Sequence, residues 1–130
     1  MIDKVALLHL RDGKVLTTRS VGKDAYYFPG GKREGSETDL ETLTREIREE
    51  LSVKILPETV RYAGTFQAQA HGKAEGVMVQ MTCYYADFAG TLKADNEIAE
   101  ILWITSAAAD GVSPVDKLIL AFLKERGLIE

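Results

Sequence analysis

Residues Pro29–Val53 read PGGKREGSETDLETLTREIREELSV, and this stretch decides how the rest of the chain is understood. Its paired glycines let backbone approach a ligand closely, because glycine has no Cβ and adopts positive φ without strain. Beyond them, Ser36 followed by Asp39 fits a capping box, and Leu40, Leu43, Ile47 and Leu51 recur at i, i+3, i+7 and i+11. This spacing predicts a helix from about Glu37 to Leu51. Glu46, Glu49 and Glu50 stand on it at i, i+3 and i+4, within an arc of about 100° beside the apolar stripe. Like charges so placed repel by about 0.2–0.5 kcal/mol per pair. Either the neighbouring Arg45 and Arg48 or a divalent cation offsets that repulsion. Carboxylate oxygens without His or Cys suit a hard ion, Mg²⁺ or Mn²⁺. A glycine-rich turn feeding a carboxylate-rich helix makes a sensible cradle for a metal-bound phosphate.

Before this segment, Ile2 to Leu10 reads as a buried strand, Asp12-Gly13 as a tight turn and Lys14 to Thr18 as the returning strand of a hairpin. After it, Val60 to Ala68 reads as a strand. Gly76 to Phe88 reads as a long strand with Val77, Val79, Met81, Cys83 and Tyr85 on one face. Ile101 to Ile104 is a short apolar strand carrying Trp103. Ser113-Pro114 opens a second helix, with Val115, Leu118, Ile119 and Phe122 as its buried stripe and Gly127 closing it. Strands and two helices interleave without strict βαβ alternation. The expected class is α/β in the α+β sense, a mixed sheet with a helix on each face.

At 130 residues the chain is expected to form one domain, residues 1–130, with a core that needs no disulfide or metal simply to fold. Sixteen Lys+Arg against twenty Asp+Glu give a net charge of −4, which argues against a dedicated nucleic-acid binder. Small phosphorylated substrates remain compatible with that charge if a cation bridges it. Cys83 is the only cysteine, no signal segment is visible, and no apolar run approaches the ~20 residues that span a bilayer. A cytoplasmic protein without membrane or nucleic-acid partners is expected, as monomer or homodimer.

Gly31, then Glu37, then Arg45-Glu46-Ile47-Arg48-Glu49-Glu50-Leu51-Ser52-Val53 resembles the Nudix box, G-x5-E-x7-R-E-U-x-E-E-x-G-U, where U is a bulky aliphatic residue. Eight of its nine specified positions match, and Phe28-Pro29-Gly30 precedes it as in many family members. Ser52 departs from the pattern's glycine, which closes the helix in a left-handed conformation. A serine there costs on the order of 1 kcal/mol at most and touches no expected metal ligand.

The resemblance implies an α/β/α sandwich and assigns roles. Glu46, Glu49 and Glu50 are the expected metal-binding and catalytic carboxylates, with a backbone carbonyl of Gly30 or Gly31 completing the shell. Glu37 and Arg45 are the expected structural pair. A later-loop glutamate acts as base or extra ligand in many members, and Glu97 and Glu100 are the candidates here, Glu97 favoured. Lys32 and Arg19 are candidate substrate contacts; for Arg19, a solvated strand-end arginine reads equally well. Tyr27 and Phe28 are candidates for stacking on a base, though aromatics beside a strand are more often core. The implied reaction is hydrolysis of a nucleoside diphosphate linked to a group X, giving a nucleoside monophosphate and phosphorylated X. Subfamily markers for ADP-ribose or dinucleoside-polyphosphate enzymes would fall near Gln69, Ala70 and His71 and are absent. That leaves a nucleoside triphosphate as the expected substrate. The alternative is a nucleotide sensor of the same fold without turnover.

Overall fold

A computed structural model describes residues 1–130. Strand β1 (Ile2–Leu8) lies inside a four-stranded sheet with β4 (Gly30–Lys32), β7 (Met78–Tyr85) and β6 (Arg61–Gln69), in the order β4-β1-β7-β6. β1 runs parallel to β7 and the other pairs are antiparallel, so the sheet is mixed. A three-stranded sheet joins β2 (Leu10–Arg11), β3 (Lys14–Ser20) and β9 (Ile98–Ile104). Short strands β5 (Lys54–Ile55) and β8 (Phe88–Ala89) pair with each other.

Alternation along β1 shows why it is central. Val5 and Leu7 pack with Leu43, Ile47 and Leu51 of helix α1 (Asp39–Leu51) on one face. Ala6 and Leu8 pack with Val115, Ile119 and Leu123 of helix α2 (Pro114–Glu125) on the other. Val79, Met81 and Cys83 of β7 also face α2, as their alternation predicts. A strand buried on both faces belongs inside a sheet. One helix therefore covers each face. Neither helix is long and apolar enough to cross a membrane.

Three local expectations are corrected. Asp12 and Gly13 do form the tight turn, with φ of 53° and 75°, but only Leu10 and Arg11 return onto β3. The chain leaves β1 at His9, whose Nδ1 lies 2.9 Å from the Ala86 carbonyl, and crosses into the second sheet. Helix α1 starts two residues later than expected, and its cap is Thr38, not Ser36. The Glu41 amide donates to Thr38 Oγ1 at 3.2 Å, and the Thr38 amide donates to Glu41 Oε1 at 2.9 Å. Leu40, in that first turn, is 39% exposed. In α2, Leu118 is exposed and Asp116 is buried in its place. At the end of α1, Ser52 takes the left-handed conformation at φ 60° and ψ 27°, and its amide donates to the Arg48 carbonyl at 3.0 Å.

Candidate active site

Glu37 is the hinge between the glycine turn and α1. Its carboxylate accepts from the Glu34 amide at 2.9 Å, from Thr42 Oγ1 at 3.1 Å and from Arg45 Nε and Nη2 at 2.8 and 2.9 Å. This two-pronged bond holds the Glu37 carboxyl down to about 2. Arg45 also donates to the Lys32 carbonyl at 3.0 Å and to Glu46 Oε1 at 2.8 Å. One guanidinium therefore fixes the loop, the helix start and one of the helix glutamates.

The glycines that follow Pro29 fit because their neighbours leave no room for a side chain. Gly30 sits at φ 146°, and a Cβ there would lie 2.0 Å from the Val5 carbonyl oxygen. A Cβ on Gly31 would lie 2.5 Å from the Glu46 carboxyl carbon. The Gly30 amide donates to Glu50 Oε1 at 2.9 Å. Gly30, Gly31, Glu46 and Glu50 thus cluster on a cleft of about 460 Å³.

Burial pushes the Glu50 carboxyl up to about 8, with the charges of Glu46 and Glu97 adding to the shift against the Gly30 amide. Glu46 is raised too, mainly by desolvation and against the pull of Arg45. A buried and a largely buried carboxyl, each raised by nearby like charge, suit a cation. One oxygen of each is engaged by the protein, and the other has no protein partner. This all-oxygen donor set fits a hard divalent ion.

The three helix glutamates do not converge as expected. Glu49 faces the outer side of α1, half-exposed, with Oε2 at 3.6 Å from Arg45. The cause is helical geometry, since adjacent residues point about 100° apart and only Glu50 continues toward the sheet. No three acidic or histidine side chains form a closed cage. The third carboxylate on the cleft is Glu97. Its loop is anchored to the end of α1. Lys93 and Asp95 amides donate to the Leu51 and Glu50 carbonyls, and Asn96 Nδ2 donates to the Glu49 carbonyl at 2.8 Å. The loop caps the C-terminal end of α1, satisfying carbonyls the helix leaves open, and so fixes Glu97 beside the cleft.

Glu100 has another task. It accepts from Arg19 Nε at 3.0 Å and Tyr26 Oη at 3.0 Å, and these bonds hold its carboxyl below the usual range. Arg19 is occupied there and by the Lys23 carbonyl, and it does not line the cleft, so it is not a ready phosphate ligand. Lys32 does line the cleft. Phe28 is 4% exposed, belongs to the α2-side core and shows an edge to the cleft, as does Tyr27.

Apolar side chains of the α2-side core, Ile2, Phe28, Val79, Met81 and Val115, also line the cleft. Lys4 lines it too, in the field of Glu46 and Glu50. It is missed by sequence reasoning, although one lysine beside the apolar run of β1 is a visible signal. Ser113 lines the same wall, and its hydroxyl is buried without a hydrogen-bond partner. It caps α2 by position only.

Comparison with known proteins identifies the family. The model of the NUDIX domain matches residues 2–122. A CTP pyrophosphohydrolase of Escherichia coli is 30% identical over 97% of this chain and 94% of its own length. An RNA pyrophosphohydrolase of Halorhodospira halophila is 52% identical, over 32% of this chain and 23% of its own length. Among solved structures, the E. coli ORF135 protein superposes with a TM-score of 0.76 at 31% identity, covering 96% of this chain and 89% of that one. A MutT protein of Methanosarcina mazei also gives 0.76, at 18% identity, over 96% of this chain and 94% of that one.

Proposed function

The chain belongs to the NUDIX family and is a pyrophosphohydrolase of nucleotide substrates, and from that premise we propose that it hydrolyses a nucleoside triphosphate, CTP first among them, with Mg²⁺ or Mn²⁺. The products are the nucleoside monophosphate and pyrophosphate: water adds to phosphorus and a P–O–P bond breaks. The observation that carries this is that one cleft is lined both by the carboxylates of α1 and by apolar side chains of the α2-side core. The first suits a metal-bound polyphosphate and the second a nucleobase. The identity of the E. coli relative, extending over nearly both chains, favours CTP.

A bound divalent ion supplies charge neutralisation on the phosphate oxygens and acidifies a water. The unpartnered oxygens of Glu46 and Glu50 are the residues to hold it, with a carbonyl of Gly30 or Gly31. Glu97 stands on the same cleft, with a carboxylate to take a proton from the attacking water. Glu37 and Arg45 keep the loop and helix in register, which matters because small misplacement of reacting groups costs large factors in rate. Glu49 lies outside this set and contributes charge to the Arg45 network.

The test is a panel of ribo- and deoxyribonucleoside triphosphates with Mg²⁺, scored for monophosphate, pyrophosphate and inorganic phosphate. Monophosphate and pyrophosphate in equal amounts, fastest from CTP, are expected. Release of inorganic phosphate with a diphosphate product contradicts the proposal.

A further inference from the structure

Lys4 is the one charged side chain within the apolar face that β1 turns toward α2, where its neighbours along the strand are Ile2 and Ala6. The β1–β4 register sets it directly opposite Lys32, and its parallel partner on β7 is Met81. Directly opposed residues of an antiparallel pair share a face, and like charges there destabilise the sheet. Both lysines line the cleft. The Lys4 ammonium makes no hydrogen bond or ion pair within the protein; it stands 5.9 Å from the Tyr27 ring centroid, in the field of Asp116, Glu50 and Glu46. Burial lowers its pKa. A half-buried ammonium with unfilled donors, beside a second lysine on the same wall of the cleft, is an arrangement that an anion completes.

The position says which anion. Lys4 feels the charges of Glu46 and Glu50 on one side and adjoins the apolar lining residues Ile2 and Met81 on the other. In a nucleotide laid along the cleft, the group between the metal-bound phosphates and the base is the phosphate attached to the sugar. We propose that Lys4 is a substrate-binding residue that, together with Lys32 across the β1–β4 register, holds the nucleoside-linked phosphate. This rests on the assignment of the cleft to a nucleotide. It places Lys4 on the part of the substrate that leaves as the monophosphate product.

The test reads binding without turnover. Ribonucleoside monophosphates and the matching nucleosides are titrated in EDTA into the wild type, Lys4→Met and Lys4→Arg, followed by amide chemical shifts, which measure millimolar affinities. Lys4→Met keeps the apolar stem, and its thermal melt and amide spectrum verify the fold; Lys4→Arg keeps the charge. The expected result is a loss of about tenfold or more in monophosphate affinity for Lys4→Met, the strength of one charge-assisted bond. Nucleoside affinity is unchanged, and Lys4→Arg recovers most of the loss. In steady state with Mg²⁺, KM rises more than kcat falls. Equal monophosphate binding in Lys4→Met overturns the assignment, as does a nucleoside loss as large as the nucleotide loss, which would put Lys4 on the base. No monophosphate binding to the wild type overturns it too. Because binding is read in EDTA, failure of hydrolysis alone leaves a Lys4-dependent binding result standing, and hydrolysis with Lys4-independent binding removes only this inference.

Discussion

The Gly30 amide donates to Glu50 Oε1 at 2.9 Å, tying the glycine turn to the last turn of α1 across 20 residues of sequence. The bond aims one carboxylate oxygen at the loop and leaves the other toward the cleft. It depends on a close approach that only glycine allows, since a Cβ at position 30 meets the Val5 carbonyl and the Ala6 Cα.

Gly30 and Gly31 should therefore respond differently to alanine. At Gly30 the clash is with backbone and φ is 146°, so the fold must yield. We expect the melting temperature of Gly30→Ala to drop by about 10 °C or more. At Gly31 the clash is with the carboxyl of the Glu46 side chain, which can turn aside more easily than backbone can. Gly31→Ala should melt near the wild type and lose activity through a displaced carboxylate. Thermal melts and turnover on the two purified variants check this; equal melting temperatures would contradict it.

The two later glutamates separate in the same manner. Glu97 lines the cleft beside Glu46 and Glu50, whereas Glu100 is tied to Arg19 and Tyr26. Glu97→Gln should lower kcat by about 10² to 10⁴, the range for loss of a general base. Glu100→Gln should keep kcat and weaken the fold slightly by loosening Arg19. Wild-type kcat in Glu97→Gln would move the base to the helix glutamates.

Asp116 gives a pH signature. It is fully buried, neither oxygen has a hydrogen-bond partner, and burial pushes its carboxyl up from 3.8 to about 7. Between those values the native state binds more protons than the unfolded chain. Its contribution therefore makes stability fall as pH rises from about 4 to about 7, then level off. Asp116→Asn removes this term. Melting temperatures at pH 5, 6, 7 and 8 should show the variant gaining on the wild type as pH rises. Parallel curves would contradict the shift.

Much of this architecture is legible from periodicity. The Leu43, Ile47 and Leu51 stripe, the alternation of Val79, Met81 and Cys83, and the Asp12-Gly13 turn each reflect local rules, and each stands where expected. The box pattern likewise carries the Glu37–Arg45 brace, because its spacing encodes one helix start. What local rules miss depends on partners far away in sequence. Ser36 and Asp39 fit the cap pattern, yet the helix is capped by Thr38 and Glu41, with Glu37 drawn back onto Arg45. Arg19 looks free until Glu100, 81 residues on, takes its guanidinium. Glu49 is indistinguishable from its neighbours until the sheet fixes which side of α1 faces inward. Lys4 is set beside Lys32 on the cleft by the β1–β4 register.

The central claim is that the carboxylates gathered on the cleft hydrolyse a nucleoside triphosphate, and Glu50→Gln tests it most directly. The substitution preserves shape, and the new amide oxygen still accepts from the Gly30 amide. It removes the charge that a divalent ion requires. Wild type and variant are compared on CTP with Mg²⁺, with the melting temperature of each measured alongside. The predicted result is CMP and pyrophosphate from the wild type, and a kcat lower by about 10² or more in a variant that melts like it. A folded Glu50→Gln protein that keeps the wild-type kcat would contradict the account.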